Sequence, residues 1–194
     1  MTWVTRCVAI AVAVCLAGAP AWGHRFPPVR TVVVQVERCE VAMLVGYRPK
    51  TGEPTEAILA RVATQPKSHM LETLRAVMAG FAMAPLSVSL DGKPLVPTTV
   101  RAKVGVEAGG ARPIVVLLVT YAIPSAGRLE ISSKDPRSTR ISWQDRGSGR
   151  VAELGAPAQG TWFDGVASFL LSLAAPPGDS PCVYTPPPSS ESLR

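Results

Sequence analysis

The stretch at residues 68–85, SHMLETLRAVMAGFAMAP, constrains this chain more than any other, because it is a strong helix signal in a sequence otherwise rich in strands. Met70, Leu74, Val77 and Phe81 recur at helical spacing, and Leu71 and Met78 widen the stripe, so one broad apolar face is predicted. Ser68 is placed to cap the start, Glu72 falls in the first turn and Pro85 stops the helix. A helix of this kind must bury its face against another layer.

That layer is predicted to be a sheet with strands from both sides of the helix. Residues 29–37, VRTVVVQVE, are dense in β-branched side chains, and residues 40–47, EVAMLVGY, return after a tight turn at Arg38 and Cys39. A short helix is expected at 54–63, with Ile58, Leu59 and Val62 on one side. Strands resume at 86–90, and Asp91-Gly92 supplies a hairpin turn. Further strands are expected at 95–107, 128–132 and 140–145, with 113–124, PIVVLLVTYAIP, at the centre of the sheet. Residues 162–173 read as a last strand, bent near Gly165. The fold class is therefore mainly β: an antiparallel, Ig-like β-sandwich over residues 24–174, with a helical insertion at about 53–84 between its second and third strands.

The 194 residues do not all belong to that domain. Arg6, the apolar run at 8–18 and the small residues Ala21 and Gly23 together read as a secretory signal, cleaved to leave His24 first. The run is too short for a membrane span, and no later segment is apolar and long enough to be one. An exported, periplasmic or extracellular protein is expected. Residues 175–194 form a Pro/Ser-rich tail that cannot bury a core of its own. Without Arg6, 19 Lys+Arg remain against 14 Asp+Glu, and the basic residues are scattered. The absence of a dense basic run argues against nucleic acid and for a solvated, mildly basic surface. Two cysteines survive cleavage, Cys39 and Cys182, which in an exported chain suggests one disulfide tying the tail to the first hairpin; the alternative is two free thiols.

Few residues suggest chemistry. His24, as a mature N-terminus, offers an α-amine and an imidazole that together suit Cu(II), with His69 as the one other imidazole available. This end group is similar to that of lytic polysaccharide monooxygenases and CopC-type carriers, although no His-x-His or Asp-x-His pair follows. Asp91, Asp135, Asp145, Glu153 and Asp164 fall at turns or strand ends, where Asp commonly bonds its own backbone. Gly178-Asp179-Ser180-Pro181 echoes a serine nucleophile but lies in the tail and lacks the following glycine, and no nucleophile elbow, zinc spacing, Walker loop or dinucleotide fingerprint is present. Tyr121, Trp143, Trp162 and Phe163 read as core, and Met43, Met70, Met78 and Met83 as core filler rather than a soft-metal site.

The order of elements over residues 29–133 resembles the exported N-terminal β-domain found ahead of the membrane helices in some HupE/UreJ-type proteins. The residues that carry the likeness are VRTVVVQVERCEVAMLVGY, then APLSVSLDGKPL, IVVLLVTYAIP and RLEISSKDP. The resemblance implies a freestanding relative without the family's membrane region. It does not transfer that family's association with metals to any residue here. The expected function is a non-enzymatic binding or assembly module of a bacterial envelope, partnered by another envelope protein and needing no cofactor. The alternative is a copper-binding protein built on His24.

Overall fold

The structure is a computed structural model that describes residues 29–49, 53–106, 113–152, 156–178 and Cys182. The expected signal, the arm before Val29, His24, Glu153 and most of the tail lie outside the described residues. In chain order the strands are β1 (Arg30–Val36), β2 (Glu40–Tyr47), β3 (Leu86–Leu90), β4 (Lys93–Pro94) and β5 (Thr99–Val106). They continue with β6 (Pro113–Ala122), β7 (Gly127–Ser133), β8 (Thr139–Asp145), β9 (Phe163–Asp164) and β10 (Ser168–Leu173). Helices α1 (Glu53–Ala63) and α2 (Met70–Met83) follow β2 and precede β3.

The strands form two sheets, ordered β5-β6-β2-β1-β8-β9 and β10-β7-β3-β4, so the molecule is mainly β and sandwich-like. Alternate residues of β1 point inward, and Val32, Val34 and Val36 are fully buried. Burial of each valine contributes about 1.5–3 kcal/mol. Their partners on β2 and β6 (Val41, Met43, Val45, Leu117, Val119) meet Leu129, Ile131, Phe169 and Leu171 from the second sheet in one core. A period of two on both inner faces is what lets two half-apolar sheets close on each other.

One pairing departs from the all-antiparallel expectation: β8 lies parallel to β1, from Arg30 opposite Thr139 to Val36 opposite Asp145. The chain enters β8 from β7, in the other sheet, through a 3-10 turn at Pro136–Ser138. No hairpin therefore fixes its direction against β1. The most apolar strand, β6, is also displaced from its predicted place. It sits one position in from the edge, between β5 and β2, and the centre of the sheet is β2 and β1. Its composition reflects an outer face that is apolar too, with Val116 39% exposed.

The predicted last strand is two strands. Phe163 and Asp164 pair with β8 in the first sheet, whereas β10 pairs with β7 in the second. Gly165 between them has φ +71°, a left-handed conformation that glycine accepts without a side-chain clash, and the chain changes sheet at this corner. The Asp91-Gly92 turn is as expected: both residues have positive φ, and Leu90 faces Lys93 across the two-residue loop.

The long helix is shorter and rotated relative to its prediction. It starts at Met70 after a turn in which His69 N–H donates to Pro66 O; the residue at the cap position is His69, with no side-chain cap, and Ser68 does not serve. Met78 and Ala82 form the buried line, Leu74 and Val77 flank it, and Leu71 and Phe81 are exposed. The reason is size: Ala82 carries little side chain, so the end of α2 lies close enough for its carbonyls to be taken by Arg30 of β1. On α1, Ile58 and Val62 are buried, whereas Leu59 is exposed, contrary to expectation.

Candidate functional site

Two arginines read as surface residues in the sequence are buried, and they organise the molecule's two ends. Arg30 donates through Nε to Ala82 O at 2.6 Å and through Nη2 to Phe81 O at 3.0 Å. The last carbonyls of a helix lack partners within it and carry the negative end of its dipole, so a cation there is doubly favoured. Arg30 also donates to Thr139 Oγ1 at 3.2 Å and lies 5.4 Å from the centre of the Tyr47 ring. Burial lowers the Arg30 pKa against the opposing pull of Tyr47 and Asp135, and burial raises that of Tyr47. A cavity of about 430 Å³ opens between this end of α2 and the sheet, lined by Arg30, Tyr47, Phe81, Lys134 and Asp135. Each nitrogen of its arginine donates to a protein group.

Arg150 is fully buried at the other end. It donates to four carbonyls: Ala174 at 3.0 Å, Arg38 at 3.0 Å, Ile123 at 2.7 Å and Ser125 at 2.5 Å. These belong to the β1–β2 turn, the exit of β6 and the exit of β10. Burial lowers its pKa. Beside it Cys39 and Cys182 form the expected disulfide, with Cα atoms 5.4 Å apart, and Arg38 donates to Pro177 O at 2.9 Å. This end has a structural task.

The exposed apolar surfaces lie elsewhere. A groove of about 730 Å³ runs between α1 and α2, with Val77, Gly80 and Phe81 along it and Arg61, His69 and Glu72 on its rim. The outer face of the first sheet carries an apolar line, Val33–Leu44–Leu118, across β1, β2 and β6. Leu44 and Val116 on this face are 41% and 39% exposed. Beyond it lies β5, paired only with β6 among the described residues.

The candidate ligands and catalysts that fall among the described residues are not brought together. His24 is outside the described residues; His69 is exposed, with Nδ1 4.0 Å from Glu72 Oε2. Among the described residues no group of three His, Cys, Asp or Glu side chains is placed to hold a metal. Asp91 Oδ1 accepts from Arg128 N–H at 2.8 Å, and Asp145 Oδ1 accepts from Ser148 N–H at 2.7 Å, so both serve turns. Asp164 forms an ion pair with Arg140 at 3.0 Å. Asp179, Ser180 and Pro181 lie outside the described residues.

Trp143 and Tyr121 are buried as expected, with Trp143 Nε1 donating to Pro157 O at 2.9 Å. Trp162 is not. It is 39% exposed, because it precedes β9 rather than lying within a core strand, and Arg140 stacks 4.9 Å from its ring centre. Met43 and Met78 fill the core, and Met70 and Met83 are half-buried.

The sequence signal that could have found Arg150 is slight: an arginine closing Gly147-Ser148-Gly149, a turn that leads back into the sheets. With fold and surfaces established, comparison with known proteins adds nothing to them: no family model, curated protein or solved structure matches the chain. Among the described residues no helix is long and apolar enough to cross a membrane.

Proposed function

We propose that this chain is an exported protein of a bacterial envelope, periplasmic or extracellular, that acts as a non-enzymatic binding or assembly module for another envelope protein. The observation that carries the binding half is the outer side of β5, an eight-residue strand at the edge of the six-stranded sheet that pairs with no second strand among the described residues. Such an edge presents unpaired backbone donors and acceptors and is a ready template for another chain. The Cys39–Cys182 disulfide supports the exported half, since such bonds persist in oxidising compartments. The Ig-like form of the sandwich, its helical insertion between strands two and three, and the likeness of residues 29–133 to HupE/UreJ-type β-domains belong to the same proposal.

Expression with residues 1–23 intact, followed by fractionation and intact-mass measurement, tests export. Mature protein beginning at His24, lighter by two hydrogens for the disulfide, is the expected product. Retention in the cytoplasm with residues 1–23 attached overturns it. Mild crosslinking in the envelope is expected to capture a discrete partner, and repeated failure to do so overturns the binding half.

A second reading, copper binding at His24, is favoured by the exposure of His69 at the head of α2, where an additional imidazole remains accessible. One equivalent of Cu(II) with several nitrogen couplings in electron paramagnetic resonance, lost in His24→Ala, is its expected signature. Binding no tighter than that of a generic peptide amine removes it.

A further inference from the structure

The edges of the two sheets are unequal. In the first sheet β9 is two residues long, and in the second β4 is two residues long and ends in a proline. The outer side of β10 is partly covered, because Val151 bridges Leu173 and Ala152 N–H donates to Ser172 O at 3.2 Å. Only β5, with eight residues, offers a long open edge among the described residues. Every second residue of an antiparallel edge strand turns its N–H and C=O away from the sheet, so about four residues of β5 present both groups outward.

The side chains along that edge have a definite pattern. Arg101 and Lys103 point to the outer face, opposite Leu118 and Val116 of β6, and both are exposed. Val100, Ala102 and Val104 point to the inner face; Ala102 and Val104 pack against the core, while Val100 remains 56% exposed. Neither β5 nor β6 contains an aspartate or glutamate. Among the described residues, neither Arg101 nor Lys103 has an ion-pair partner.

Resting on the reading of the protein as a binding module, we propose that the outer edge of β5 takes up an extended peptide strand of a partner protein in which acidic and β-branched residues alternate. Backbone groups of that strand continue the ladder beyond β5. Its acidic residues fall on the outer face beside Arg101 and Lys103, at the 4.5–5.5 Å Cβ spacing of cross-strand pairs. Its β-branched residues fall on the inner face and cover Val100. A second copy of this chain is the poorer occupant, because antiparallel pairing of two β5 strands puts Arg101 and Lys103 of both copies on one face. The chain's own tail is poorer still: residues 183–194, VYTPPPSSESLR, include three prolines that cannot donate to a ladder.

Fluorescence anisotropy on the disulfide-bonded full chain tests this with three labelled eight-residue peptides. One alternates valine with glutamate, one alternates valine with lysine, and one is the glutamate peptide N-methylated on alternate residues. The glutamate peptide is expected to bind at least tenfold tighter than either of the others. In the R101E/K103E variant, with an unchanged melting temperature, the preference is expected to pass to the lysine peptide. R101Q/K103Q is expected to bind both peptides alike. No binding of the glutamate peptide, or equal binding by the native chain and R101E/K103E, overturns the proposal. Crosslinking in the envelope separates this failure from that of the broader reading. A partner captured equally by native chain and R101E/K103E overturns the edge assignment and leaves the binding module standing, whereas capture by neither overturns the binding module, and the peptide result still decides the edge.

Discussion

The end of the molecule around Arg150 and the long edge at β5 solve opposite problems with the same kind of group. At Arg150, carbonyls from three separated chain segments converge on one guanidinium, and a disulfide closes the same region. At β5, backbone donors and acceptors face outward beside two cations with nothing in the described residues to engage them. Buried polar groups are costly unless paired, so the first region must be complete for the fold to exist. An exposed edge is hydrated and costs little, so the second can remain unpaired without loss to the fold. Rigidity and availability are separated in space.

The largest test of this contrast removes the bond. Cys39 and Cys182 close a loop with a sequence separation of 143 residues, for which the chain-entropy account gives about 4–5 kcal/mol. Denaturant unfolding of C39S/C182S is expected to show a loss of that order, and a loss under about 1 kcal/mol would mean that Arg150 alone holds the end. Arg150→Lys comes next. A single ammonium cannot reach four carbonyls in the guanidinium's planar spread, and each stranded carbonyl costs about 1–3 kcal/mol. The expected loss is about 2–4 kcal/mol, measured as a shift in midpoint at constant slope.

A third test uses alkali. Burial raises the pKa of Tyr47 and Tyr121 in the folded protein. Each folded pKa then exceeds its unfolded value of about 10, so the folded state holds the protons longer. The contribution is fully present below about pH 10 and is lost as pH rises through the folded values. Phenolate absorbance is expected to show two tyrosines titrating late, with stability falling in the same window. Early titration of Tyr47 would show that the Arg30 junction is looser than its hydrogen bonds imply.

The smallest effect is a gain. Gly80 sits inside α2 facing the groove, and an added Cβ meets no atom within 4 Å. Gly80→Ala is expected to raise stability by about 0.5–1 kcal/mol, with peptide binding at β5 unchanged. A loss of binding would couple the helices to the edge.

Much of this was legible in the sequence, and what was not has a common cause. The β1–β2 hairpin follows from β-branched residues about a two-residue turn, and its predicted bounds agree within one residue. The two helices and the Asp91-Gly92 turn follow from periodicity and turn chemistry. Periodicity says which face a residue takes but not which strand lies beside it. The parallel β1–β8 pair and the open side of β5 were therefore invisible. The split at Gly165 was half legible: the glycine announced a bend, but nothing local told a bend within one sheet from a passage to the other. Arg30 and Arg150 were misread because their partners are backbone carbonyls, which leave no mark in a sequence, whereas a carboxylate partner would have. The same holds for Ala82, whose small side chain admits the clamp yet adds nothing to an apolar stripe.

The distance along the chain between the two cysteines also sets a clock. Cys39 leaves the ribosome 143 residues before Cys182, which at ordinary synthesis rates is on the order of 10–30 s. For all of that time the first hairpin carries an unmatched thiol, and every other strand is made before its partner arrives. A chain cut short anywhere upstream of Cys182 keeps that thiol. The bond can therefore close only after every described strand has been made, so it locks a fold that must first assemble without it.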